Sequence, residues 1–180
     1  GTLGNSFIGS LDGNGFTITG LFIDRPGEGQ AGLFGWISFG AELTGLRLEA
    51  VDISGGSLAG GLVVTNFGGT VQNSHVAGSV SGNEIAGGLV ARNLSGTVQG
   101  SSATGEVSGG DSVGGLVGIN WSTIRDSGSD MEIEDDPPST PGRPQNAGKQ
   151  FSGTVSITGS GMFNGVRDTG AVDSLRLPGA

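Results

Sequence analysis

Ala59-Gly60-Gly61-Leu62-Val63 recurs as Ala86-Gly87-Gly88-Leu89-Val90 and again as Val113-Gly114-Gly115-Leu116-Val117, each time after twenty-seven residues. The interval also holds between the copies. Gly69-Thr70-Val71-Gln72 maps onto Gly96-Thr97-Val98-Gln99, and Val80-Ser81-Gly82 onto Val107-Ser108-Gly109. A fixed period of this length marks stacked coils, each too small to bury an apolar face alone. Like residues then superpose. Leu62, Leu89 and Leu116 make one column, and Val71, Val98 and Ile124 another. Burying one such side chain contributes about 1.5–3 kcal/mol.

Upstream, residues 31–58 read as a divergent copy, with Ala31-Gly32-Leu33-Phe34-Gly35 offset by twenty-eight residues from the later motif. Leu43, Leu46, Leu48, Val51 and Ile53 supply its core. Residues 1–30 read as an opening coil, with short apolar runs on either side of the turn Asp12-Gly13-Asn14-Gly15. Downstream, the coil that starts at Val113 loses one residue near Ser122, so that Thr123-Ile124 matches Thr97-Val98 and Ile133 matches Val107. The pattern breaks at Glu134. Residues 134–150 hold four of the six prolines and read as a protruding acidic loop, and residues 151–180 as an irregular final coil.

Glycine, at 39 of 180 residues, is too frequent for a helical protein, and no window keeps an apolar spacing of 3.6. Each coil has room for about three short strands. The expected fold is therefore all-β: a single parallel β-helix (β-solenoid) over 1–180, of about six coils and right-handed by the crossover rule.

The formal net charge of −9 argues against nucleic-acid binding. No run approaches the ~20 apolar residues of a membrane span, so no membrane insertion is expected. Cysteine is absent, which removes disulfides and thiolate chemistry. The chain opens at Gly1 inside a strand-like pattern and reads as a piece of something longer.

Val113-Gly114-Gly115-Leu116-Val117-Gly118-Ile119-Asn120, followed by Thr123-Ile124 and Ser127, resembles the GLUG motif, as does Ala86 to Gly109. Such repeats occur in large bacterial surface proteins, among them filamentous-haemagglutinin-like adhesins and the N-terminal regions of immunoglobulin-A-cleaving metallopeptidases. The resemblance covers about residues 7 to 133. It implies a β-helix at a cell surface or outside the cell, and no active site. In that family the peptidase chemistry lies on a separate domain with a His-Glu-x-x-His motif, whereas His75 is the only histidine here.

Asn66, Asn93 and Asn120 repeat in phase and fit a hydrogen-bonded ladder of buried amides. Asn93-Leu94-Ser95 and Asn120-Trp121-Ser122 also fit the glycosylation pattern. Phe39, Phe67, Leu94 and Trp121 form a column one place later, either core or an apolar stripe for a partner or a sugar face. Glu84 and Asp111 stack on successive turns and read as two solvated turn residues, with calcium, which would suit two carboxylates that otherwise repel, as the alternative. Asp130, Glu132, Glu134, Asp135 and Asp136 read as a solvated rim. Glu106 and Glu132 align across coils as a carboxylate pair of the kind glycan-cleaving enzymes use, but no basic cluster accompanies them. Gly27 to Gly32 matches a dinucleotide fingerprint in spacing alone, with no helix after it.

These residues lead to a non-catalytic structural and adhesive module, without a required cofactor, whose partners are a glycan or protein at a cell surface. The alternative is self-assembly through the solenoid ends, with copies of itself as partners. A polysaccharide-active enzyme is the least favoured reading.

Overall fold

A computed structural model describes residues 3–135 and the backbone of 155–156, 160–163 and 166–169. A partial opening turn comprises a 3-10 helix (Leu3–Asn5) and strands β1 (Ser10–Asp12), β2 (Thr17–Thr19) and β3 (Phe22–Arg25). Four complete turns follow, each of four strands. The first holds β4 (Gln30–Ala31), β5 (Phe34–Ser38), β6 (Glu42–Thr44) and β7 (Arg47–Gly55). The second holds β8 (Leu58–Gly60), β9 (Val63–Phe67), β10 (Thr70–Gln72) and β11 (His75–Gly82). The third holds β12 (Ile85–Gly87), β13 (Val90–Asn93), β14 (Thr97–Gln99) and β15 (Ser102–Gly109). The fourth holds β16 (Ser112–Gly114), β17 (Val117–Asn120), β18 (Thr123–Arg125) and β19 (Gly128–Asp135).

Corresponding strands of these turns pair in parallel, making the four walls of a β-solenoid. The expectation of three strands per coil is corrected to four. The extra division falls at the paired glycines, where the chain turns sharply between β8 and β9 and between their equivalents. A Cβ on Gly61 would lie 2.2 Å from the Gly88 carbonyl oxygen, and one on Gly88 2.1 Å from that of Gly115. Only glycine allows turns to stack so closely at this corner.

Of the expected six coils, the described residues hold four complete turns and the partial opening one, and the count of six is not confirmed. β19 continues through Glu134 and Asp135, in register with Ser108 and Gly109, beyond the break expected at Glu134. The remainder of the expected 134–150 loop lies outside the described residues. Further on, β20 (Val155–Ser156) adds in parallel to β18, whereas β21 (Ser160–Phe163) runs antiparallel to both β19 and β22 (Val166–Thr169). The region expected as a final coil therefore includes an antiparallel pair. Among the described residues no helix is long and apolar enough to cross a membrane.

The core is a set of vertical columns. Leu43, Val71, Val98 and Ile124 are in register and fully buried. Leu62, Leu89 and Leu116 are joined by backbone bonds, Leu62 N–H donating to Leu89 C=O at 2.9 Å and Leu89 N–H to Leu116 C=O at 2.9 Å. Local changes in length are absorbed without loss of register. Arg47 and Leu48 pair with residues twenty-eight places on, but Val51 pairs with Gly78, twenty-seven on. The extra residue is a bulge at Ala50, whose φ of 51° lies in the left-handed region. Near Ser122 the shift runs the other way, as expected: Asn93 pairs with Asn120 and Thr97 with Thr123.

Candidate functional site

The candidate surface lies on the wall formed by β5, β9, β13 and β17. Asn66, Asn93 and Asn120 are paired in register and fully buried. Asn93 Nδ2 donates to Asn120 Oδ1 at 2.8 Å and to the Thr123 carbonyl at 3.3 Å. Asn66 Oδ1 accepts from the Gly69 N–H at 2.8 Å and so closes its own corner. Asn66 Nδ2 and Asn93 Oδ1 are buried without partners, so the amide ladder has one rung, between the third and fourth turns. At the other end Asn66 meets Ile37, which cannot continue it. Burial also closes Asn93 and Asn120 to glycosylation in the folded chain.

Immediately after the amides, Phe67, Leu94 and Trp121 emerge at the surface, with Phe67 37% and Trp121 53% exposed and Leu94 half-buried. Leu94 N–H donates to Asn66 C=O and Trp121 N–H to Asn93 C=O, which fixes their stacking. Phe39 departs from the expected column. In backbone register Ser38, not Phe39, pairs with Phe67. The first turn has one residue fewer at its glycine corner (Gly32 alone before Leu33) and regains one at Phe39. Phe39 nevertheless extends the stripe, because its ring packs edge-on against Phe67 with centroids 5.5 Å apart. It is 65% exposed.

Two residues before Phe67, Leu94 and Trp121, where alternation along an extended chain puts side chains on one face, runs a second row, which Trp36 joins through pairing register rather than spacing. Trp36, Thr65, Arg92 and Ile119 pair in succession across the four turns. The Arg92 guanidinium reaches back over Thr65, donating from Nη2 to Thr65 Oγ1 at 3.0 Å and lying 5.9 Å from the centre of the Trp36 ring. Arg92 is half-buried, and its Nε is buried without a partner. Burial draws its pKa below the ordinary arginine value, but a guanidinium remains charged at neutral pH. The sequence pattern missed this row. Its members differ chemically from turn to turn, and the contact joins the first turn to the third.

A serine ladder was also missed. Ser74 N–H donates to Ser101 Oγ at 3.1 Å and Ser101 N–H to Ser127 Oγ at 3.1 Å. Each of these hydroxyls donates to the carbonyl two residues earlier. The recurrence of Ser74, Ser101 and Ser127 with the period was the available signal.

Glu84 and Asp111 occupy exposed turns on successive coils, Asp111 N–H donating to the Glu84 carbonyl at 2.7 Å. The Glu84 carboxylate accepts from Ser57 Oγ at 3.1 Å. Among the described residues no three His, Cys, Asp or Glu side chains come together in a group able to hold a metal ion. Glu106 and Glu132 are paired in register and exposed. His75 pairs with Ser102, its Nδ1 2.8 Å from the hydroxyl. Partial burial and the nearby Arg47 lower its pKa, against a smaller opposing effect of Glu49. Gly27 to Gly32 contains β4 and no helix, so no dinucleotide-binding turn forms there. Part of this segment, with Phe22, Leu33 and Val64, lines an open cleft of about 640 Å³ beside the opening turn.

Comparison with known proteins yields one curated relative. The chain is similar to Halomucin. The two are 40% identical over 75 residues, in Halomucin of Haloquadratum walsbyi (strain DSM 16790 / HBSQ001). The match covers 42% of this chain and spans 1% of that protein. No family model matches the chain, and no solved structure gives a significant match.

Proposed function

We propose that this chain is a non-catalytic segment of a cell-surface or extracellular protein, a β-solenoid that holds a binding stripe on one wall. The observation that carries the reading is the stripe itself. Phe67, Leu94 and Trp121 emerge beside a buried amide column, and Phe39 joins them through its ring contact. Large apolar side chains exposed in a continuous line mark an interaction surface. The similarity to Halomucin, a surface protein, supports the location, and the GLUG resemblance of residues 7 to 133 supports location and adhesive role together. The test is an array of glycans and surface proteins probed with wild type and Trp121→Ala. The reading expects a bound partner whose retention falls with the substitution. Unchanged retention of every partner removes the stripe as the binding surface.

A second reading, self-association through the solenoid end, has an observation of its own. Ile8, Leu11, Phe16, Ile18 and Phe22 of the opening turn are 41–75% exposed. Leu11 and Ile18 sit directly over buried Leu43 and Leu48, so the core columns surface at this end. Those strand edges would accept either a preceding winding of a longer chain or a second copy. Negative-stain microscopy across a concentration series decides the matter. Particles that lengthen with concentration support end-to-end assembly, and a constant length excludes it.

A further inference from the structure

The row Trp36–Thr65–Arg92–Ile119 changes what the stripe can recognise. Beside it, the stripe offers only apolar and aromatic surface. The second row adds a cation that lies 5.9 Å from the centre of the Trp36 ring and whose Nη2 is anchored on Thr65. Among the described residues Arg25 pairs with Glu28 and Arg47 with Glu49, but no ion pair involves Arg92. A half-buried guanidinium with no carboxylate partner, in a chain of net charge −9, is an unmet demand for an anion. Its planar fork suits a carboxylate, which it can hold through two parallel hydrogen bonds.

We propose that this wall binds a linear anionic glycan of the uronate class, its carboxylate seated on Arg92 and its sugar rings on Trp121, Leu94 and Phe67. The proposal rests on the adhesive reading above and narrows it to one ligand chemistry. The stripe members recur at the rung spacing of about 4.8 Å, which presents flat apolar contacts in series, as an extended sugar chain requires. Aromatic rings meet the C–H faces of sugars, and only Arg92 supplies the matching charge on these two rows. Like charges elsewhere on the acidic surface repel such a chain, which confines it to this wall.

The test titrates the intact chain with oligogalacturonate and, separately, with a neutral galactan oligomer, following tryptophan fluorescence and heat. Wild type, Arg92→Gln, Arg92→Lys and Trp121→Ala are compared after circular dichroism has shown the same fold. The expected result is oligogalacturonate binding that weakens roughly tenfold or more in Arg92→Gln, since a charge-assisted hydrogen bond is lost. Arg92→Lys should restore part of it, and the neutral oligomer should bind more weakly than the acidic one. Equal binding of both oligomers, insensitive to Arg92→Gln but lost in Trp121→Ala, overturns the anionic assignment and leaves the stripe intact. Absence of oligogalacturonate binding alongside a Trp121-dependent protein partner on the array has the same meaning. Failure of every partner to respond to Trp121→Ala overturns the stripe and this inference together.

Discussion

Gly88→Ala puts the stacking of turns to its sharpest test. The new methyl group would lie 2.1 Å from the Gly115 carbonyl oxygen and 2.6 Å from Met131 Cε. The methionine end can swing aside, but the carbonyl belongs to the next turn's backbone. Reaching ordinary contact demands a separation of about 1.3 Å more than the fold allows. The turns are held there by Gly88 N–H to Gly114 C=O at 3.2 Å and Leu89 N–H to Leu116 C=O at 2.9 Å. Overpacking costs about 1–3 kcal/mol, and losing one or two of these bonds about 0.5–1.5 kcal/mol each. A destabilisation of about 3 kcal/mol follows. Gly27→Ala is the control, because nothing lies within 4 Å of its added methyl and its φ is not in the left-handed region. It should leave stability within about 1 kcal/mol of wild type. Urea denaturation followed by circular dichroism measures both. Equal midpoints for the two variants would refute the superposition of the glycine corners.

Leu89→Ala should cost about 3–5 kcal/mol by the same measurement, since Leu89 is fully buried in the middle of its column. Asn93→Ala should cost about 1–3 kcal/mol, because it removes the donor to Asn120 Oδ1 from a buried site. Phe39→Ala removes an edge-on ring contact and should lower stability by about 0.5–1.5 kcal/mol, although the residue is mostly exposed. The lowered pKa of His75 means that folding favours its neutral form. Its contribution is therefore present above the ordinary value of 6.5 and is lost as the pH falls below it. His75→Gln should flatten this part of the stability–pH curve, and an unchanged slope would assign it to other groups.

The winding of the chain was legible because its columns repeat in residue type. Leu62, Leu89 and Leu116 occupy equivalent places, and a Gly-Gly pair at a fixed interval leaves little choice but a stacked corner. The number of walls was not legible, because two-residue corners and three-residue strands look alike in a glycine-rich sequence. The displacement of Phe39 was hidden by compensation. One residue is missing beside Gly32 and one is gained before Gly40, so the spacing of the flanking segments gives no warning. The pairing of Arg92 with Trp36 was invisible for another reason. A long side chain crossed an intervening turn, and the residues that the register stacks here differ in type, so their alignment carried no chemical signal.

The bulge at Ala50 has a consequence for how such a chain can vary. It confines an added residue to one wall, and pairing has recovered by Val51. Lengthening or shortening by a single residue is thus a local repair, while removal of a whole winding needs no repair at all. Excising residues 59–85 would join Leu58 to Ala86, bring Asn93 beside Ile37, and leave a shorter rod with its apolar seams continuous. Tandem duplication of the same segment would lengthen it equally well. Reach, in a protein of this build, can be adjusted in whole windings by unequal recombination, each winding adding or removing one rung of every wall.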